Sequence, residues 1–182
     1  MKDLASHIMD IVQNSIRAQA TKIEIEVLED HGKDCFTIEI RDNGTGMDET
    51  TLARVRDPFF TSRTVRKVGL GIPLLQQNAE QTGGKITIVS TLGQGTTINA
   101  TFGHSHLDRP PLGDMAETIS LLLVANPDIH FIYRHTTDQG GYLLDTEELK
   151  QILEGVPLTH PEILLGIQNL IRENLKEIKA DH

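Results

Sequence analysis

Asp42-Asn43-Gly44-Thr45-Gly46-Met47 places a carboxylate and two glycines directly after a strand-like run. Gly44 and Gly46 carry no Cβ and can take positive φ, so a flat purine ring can lie against main chain while Asp42 accepts from an exocyclic amine. The same string is also a frequent hairpin signal, and only its neighbours along the chain decide between a turn and a base pocket. The N-terminal segment supplies a second set. His7, Asp10 and Asn14 recur at i, i+3 and i+7, on the side of a helix opposite Leu4, Ile8, Ile11, Val12 and Ser15. Asn14 offers a neutral oxygen suited to Mg²⁺, a cation that takes few protein ligands beside nucleotide phosphates, and Asp10 one turn earlier can hold or deprotonate a water. An ordinary solvated helix face has the same composition.

Two further segments follow. In Asp57-Pro58-Phe59-Phe60-Thr61-Ser62-Arg63, continuing through Arg66 and Lys67 to Gly69-Leu70-Gly71, two aromatics anchor a basic loop. Arg63, Arg66 and Lys67 suit a lid over phosphates. Gly69 and Gly71 open an apolar helix with Pro73 near its first turn, where free N–H groups and the helix dipole face an anion. The spacing is neither that of a dinucleotide fingerprint nor that of a P-loop. The last segment, Leu92-Gly93-Gln94-Gly95-Thr96-Thr97, reads by itself as a hairpin loop.

Taken in order, these residues resemble the GHKL superfamily of ATP-binding proteins, which includes gyrase-type topoisomerases, heat-shock chaperones, histidine kinases and MutL-type mismatch-repair ATPases. Asp10-x-x-x-Asn14 is similar to the N box, Asp42-x-Gly44-x-Gly46 to the first glycine box and Pro58-Phe59-Phe60 to the F box. Gly69-x-Gly71 and Gly93-x-Gly95-Thr96 are similar to the remaining two, and the set covers about the first 103 residues. The resemblance implies ATP and Mg²⁺ as ligands, with Asn14 on the metal and Asp10 as the catalytic carboxylate. It implies that Asp42 reads the adenine amine with support from Thr96, that Gly44, Gly46 and Met47 border the base, and that Gly69, Leu70 and Gly71 hold phosphates. Phe60, Arg63 and Lys67 would belong to the lid. Three features depart from the pattern. Asp10 stands where Glu is usual, Lys67 occupies a position that usually carries another glycine, and the lid is short, so closure should be local.

Periodicity and breakers predict the elements that must position these groups. A helix is expected over 3–18, alternating strands over 22–28 and 35–41 with a turn at Asp30-His31-Gly32-Lys33, and a helix over 71–82 that stops at Gly83-Gly84. Strands 85–91 and 96–102 then complete the layer. The expected class is α+β, a Bergerat-type α/β sandwich with an antiparallel or mixed sheet and helices on one face, plus a small α/β C-terminal extension. The expected domains are 1–103 for ATP binding, a linker over 104–112 and the extension over 113–182. His104-x-His106 suggests a metal, but no adjoining cysteine or carboxylate cluster completes a set, and a solvated linker is expected. In the extension, a helix is expected over 113–125, strands over 128–136 and 142–144, and a helix over 146–154. The run from Ala125 to Phe131 with Gly141 to Asp145 resembles the opening of the transducer domain in MutL-type ATPases. The last helix begins at Pro161 and carries Ile163, Leu164, Ile167, Leu170, Ile171, Leu175 and Ile178 on one stripe, either packed on its own chain or forming a seam with a homodimer mate or protein partner.

The chain has 182 residues and a net charge of −9, which disfavours nonspecific nucleic-acid binding. Its single cysteine, Cys35, excludes an internal disulfide and is expected in a strand. No bilayer-spanning run or signal-peptide core is seen, and a cytoplasmic location is expected. Three function classes remain. The first is Mg²⁺-dependent ATP binding with slow hydrolysis coupled to lid or partner movement. The second is a protein kinase of histidine-kinase or anti-sigma-factor type, acting on a separate chain because no phosphoacceptor helix pair is expected before Asp10. The third is a nonhydrolysing ATP sensor.

Overall fold

A computed structural model describes residues 3–56 and 71–181. The chain runs α1 (Leu4–Arg17), β1 (Lys22–Asp30), β2 (Cys35–Asp42), α2 (Glu49–Arg56), α3 (Gly71–Gln81), β3 (Lys85–Thr91) and β4 (Gly95–Gly103). It continues with α4 (Met115–Ala125), β5 (His130–Thr137), β6 (Gly140–Asp145), α5 (Thr146–Ile152) and α6 (Pro161–Glu177). The strands form one six-stranded sheet in the order β3-β4-β2-β1-β5-β6. All pairings are antiparallel except β1 with β5, which is parallel.

Strict alternation makes the sheet one-sided. Ile25, Val27 and Glu29 of β1 lie in register with Ile40, Ile38 and Phe36 of β2, and Ile23, Ile25 and Val27 with Phe131, Tyr133 and His135 of β5, and all are buried. The helices cover this face. The other face carries charges, among them Lys22 Nζ to Glu24 Oε1 at 2.7 Å and Arg41 Nη2 to Glu39 Oε1 at 2.5 Å. The mixed α+β sheet with helices on one face is therefore the architecture of this chain.

Within the segment expected to be a solvated linker, Ser105, His106, Leu107 and Asp108 are exposed, while its last residues pack on α1. Carbonyls of Pro111 and Leu112 accept from the backbone N–H groups of Leu4 and Ala5 at 2.9 and 2.8 Å, satisfying donors that the first turn of a helix cannot satisfy internally. Asp3 caps the same turn by accepting from Ser6 N at 2.8 Å. The sheet runs without a break from β4 through β2 and β1 into β5 and β6, so residues on both sides of the 104–112 segment share one sheet. On the terminal stripe, Ile167, Ile171 and Leu175 are buried, and α6 packs on α4, which in turn packs on α1. Among the described residues no helix is long and apolar enough to cross a membrane.

Candidate nucleotide site

Asp42 ends β2 between Ile23 of β1 and Thr96 of β4, so the middle of the sheet delivers its carboxylate to the end of α1. Oδ2 accepts from Ser15 Oγ at 2.6 Å, and Oδ1 accepts from Gly44 N at 2.9 Å and Thr96 N at 3.2 Å. A carboxylate offers about four lone-pair sites. Among the described residues, Ser15, Gly44 and Thr96 occupy all but one, which is on Oδ2, and Asp42 lines a pocket. Ile11, Val55, Ile72 and Ile98 give that pocket apolar walls, while Asn14, Asp42 and Thr96 supply polar groups. Gly46 and Met47 complete the rim.

The loop after β2 is held by backbone contacts that tolerate no side chain. Gly46 has φ +65°, and a Cβ there would lie 2.1 Å from the Thr91 carbonyl oxygen. Gly95 has φ +115°, and its Cβ would lie 2.0 Å from the Asp42 carbonyl oxygen. Thr45 N donates to Ala18 O at 2.8 Å and Gly93 N to Thr45 O at 2.7 Å, tying this loop to both α1 and the β3–β4 hairpin. The two glycine segments thus form one cradle. Asn43 has a structural job within it, its Oδ1 accepting from Thr21 N and Lys22 N at 2.9 Å each.

On α1 the three expected polar residues part company. Asn14 lines the pocket, its Oδ1 accepting, among the described residues, only a long bond from Arg17 Nη1 at 3.3 Å. Asp10 is exposed beyond the pocket wall and faces the start of α3, where a Cβ on Gly71 would lie 3.0 Å from its Cβ and 3.2 Å from Oδ2. His7, expected on the same solvated side, is buried at 1% exposure, with Asn78 Nδ2 donating to its Nε2 at 2.8 Å. α3 lies across the first half of α1 and covers what helical spacing alone leaves open. Burial pushes the His7 pKa down, outweighing the upward pull of Asp10 and Asp3. Phe60, Arg63, Lys67, Gly69 and Leu70 lie outside the described residues.

Ser15 and Ser90 were not anticipated. Ser15 sits in the apolar stripe of α1 and is buried, yet its hydroxyl orients Asp42. The readable signal was a hydroxyl on a face that must be buried, because such a group needs a partner. Ser90 Oγ accepts from Met47 N at 2.8 Å and lies 2.9 Å from Thr96 Oγ1, joining the rim to β4.

The model of a family described as histidine kinase-, DNA gyrase B- and HSP90-like ATPase matches residues 2–106. The chain belongs to this ATPase family. Over 87 residues it is 36% identical to the sensor kinase CckA of Brucella abortus, covering 47% of this chain and 9% of that one. Over 99 residues it is 28% identical to the sensor histidine kinase YxdK of Bacillus subtilis, covering 50% of this chain and 30% of that one. The chain thus spans under a third of the length of either relative. Among solved structures, the Aquifex aeolicus MutL ATPase domain complexed with ADP shares the fold at TM-score 0.51 and 17% identity, covering 85% of this chain and 70% of that one. At 85% of the chain, this last likeness extends beyond the stretch that the family model matches. The chain carries an ATP-binding domain of this family.

Proposed function

We propose that the chain binds ATP with Mg²⁺ and hydrolyses it slowly, passing the change of nucleotide state to a protein partner. The observation that carries this reading is the one unfilled acceptor of Asp42 in an apolar-walled pocket, from which Asn14 and then Asp10 lead along α1 to the start of α3. Asp42 Oδ2 accepts from the adenine amine, and Gly46 and Gly95 let the main chain close around the base. The free N–H groups at the start of α3 face the phosphates. Asn14 Oδ1, only weakly engaged by Arg17, fits a hard cation and would hold Mg²⁺. When bound, that ion offsets phosphate charge. Asp10 orients the attacking water and accepts its proton as the water oxygen bonds to the γ-phosphorus and ADP leaves.

A second reading is favoured by the sensor kinases among its relatives: the γ-phosphoryl group passes to a side chain on another protein. The exposed Leu165 and Leu170 of α6 offer a place for a partner or second copy to dock. Incubation with γ-labelled ATP and Mg²⁺, followed by separation of free phosphate, phosphoprotein and intact ATP, decides between the readings. Hydrolysis predicts free phosphate that falls in Asp10→Asn while ATP affinity holds, and that disappears with binding in Asp42→Asn. Intact ATP throughout, with binding retained, would leave only a sensor.

A further inference from the structure

The geometry points to a zinc site, separate from the nucleotide pocket, formed by Glu29, His31, His104 and Asp181. These come from the end of β1, the β1–β2 turn, the segment after β4 and the residues after α6. One ligand atom from each lies within 4.8 Å of the others. Two nitrogens and two carboxylate oxygens form a donor set that Zn²⁺ accepts in tetrahedral geometry, where neighbouring ligand atoms stand about 3.4 Å apart. His104 Nε2 is already 3.2 Å from Asp181 Oδ2 and 3.7 Å from Glu29 Oε2.

The independent observation is His104 itself. Its side chain is 10% exposed, and among the described residues its buried Nε2 has no hydrogen-bond partner despite the two carboxylates in front of it. A buried nitrogen left unpaired is costly, and a metal ion resolves it. The charges agree. Glu29 is fully buried, its Oε1 2.6 Å from His135 Nε2. Tyr133 Oη lies 2.8 Å from His135 Nδ1, with burial pushing the phenol pKa well up, so a buried chain of contacts runs from Tyr133 through His135 to Glu29. Arg109 Nη2 engages Asp181 Oδ2 at 2.6 Å, so among the described residues one guanidinium stands against the two carboxylates. A divalent ion suits two carboxylates set beside two imidazoles whose ring centroids are 4.1 Å apart. Asp181, with two oxygens, can serve Arg109 and the ion together.

The surrounding contacts also suit a metal. Asp138 Oδ2 lies 2.7 Å from His31 Nδ1, so the carboxylate takes the Nδ1–H and leaves Nε2 as the ligand nitrogen, the carboxylate–histidine arrangement that orients metal-binding imidazoles. His31 is exposed, giving the ion a route in. A bound zinc would pin the residues after α6 to β1 and to the end of β4, linking α6 with the sheet that also carries Asp42.

The test is titration of the chelator-treated chain with Zn²⁺ alone against a chromophoric chelator, together with Co²⁺ absorption. The expected result is one zinc per chain, a tetrahedral Co²⁺ spectrum, and a zinc-dependent rise in Tm. His104→Gln and His31→Gln should abolish stoichiometric uptake, and Asp138→Asn should weaken it about 10- to 100-fold. His106→Gln, outside the cluster, should bind zinc like the parent. Far-UV circular dichroism and ATP binding report whether each variant remains folded. Should a variant not fold, the parent still decides: no stoichiometric zinc, or a Co²⁺ spectrum of octahedral type, overturns the proposal. So does zinc uptake that survives loss of both His31 and His104, which would make the cluster a network of protons and Arg109 only.

Discussion

Asp42 can read a base only if its carboxylate is held with one oxygen partly free, and Ser15 is the side chain that orients that oxygen. The 2.6 Å bond from Ser15 Oγ is an O–H···O⁻ contact, the stronger kind. Ser15→Ala removes it while the backbone donors Gly44 N and Thr96 N continue to hold Oδ1. The loss should weaken ATP binding about tenfold and also lower stability, because the bond is already present in the free chain and a bond to a charged group contributes on the order of 1.5 kcal/mol or more. Asp42→Asn should cost more, since it removes an acceptor and places an amide donor opposite the adenine amine. Calorimetry comparing both variants with the parent checks this order; equal affinity for Ser15→Ala would reduce Ser15 to a packing residue. The contrast also marks what was readable at this scale. Asp42, Asn14 and the glycines stand out as candidates because their types are unusual in place, whereas Ser15 passes as one position of an apolar stripe and its partner lies 27 residues away.

At the scale of elements, α1 shows why helical spacing left part of the site hidden. Spacing placed His7 with Asp10 and Asn14, but α3 covers only the first of them. His7 accepts from Asn78 as a neutral ring, and burial lowers its folded-state pKa. Below about 6.5, the unfolded chain takes up a proton at His7 that the folded chain refuses. Its contribution is therefore intact above that pH and is lost as pH falls toward the lower folded value. His7→Gln keeps an acceptor for Asn78 and removes the titration. Between about pH 8 and about pH 5.5, its Tm should fall less than the parent's, and equal losses would place the acid sensitivity elsewhere. Gly95→Ala gives a second test, because its Cβ would meet the Asp42 carbonyl oxygen at 2.0 Å in a positive-φ conformation. ATP binding should be lost in that variant, while Gly93→Ala, whose Cβ meets nothing within 4 Å, should show only the milder strain of its positive φ. α2 was not anticipated: its eight residues bring mainly Leu52 and Val55 inward, too short a stretch to show a period.

For the whole molecule, the consequential feature is the parallel pairing of β1 with β5, which joins residues 22–28 to 130–136. Each strand is legible alone by alternation, but parallel pairing spans a long crossover, and nothing local in either strand names the other. The parts of the terminal stripe that pack within the chain were equally hidden, since a helical stripe calls for burial without saying against what. Through these contacts α6 rests on α4, α4 on α1, and α1 carries Asn14 and Ser15 to the pocket beside Asp42. A cavity under α6 should therefore weaken the entire sheet. Ile171 is 0% exposed, and Ile171→Ala should lower stability by about 2–5 kcal/mol, the range for truncating a buried aliphatic side chain. The transition should remain single and coincident by circular dichroism and by loss of ATP binding on heating, because β5 and β6 are hydrogen-bonded into the same sheet as the pocket strands. Two separated transitions, with ATP binding surviving the first, would show that the C-terminal strands and α6 unfold as an independent unit despite the shared sheet.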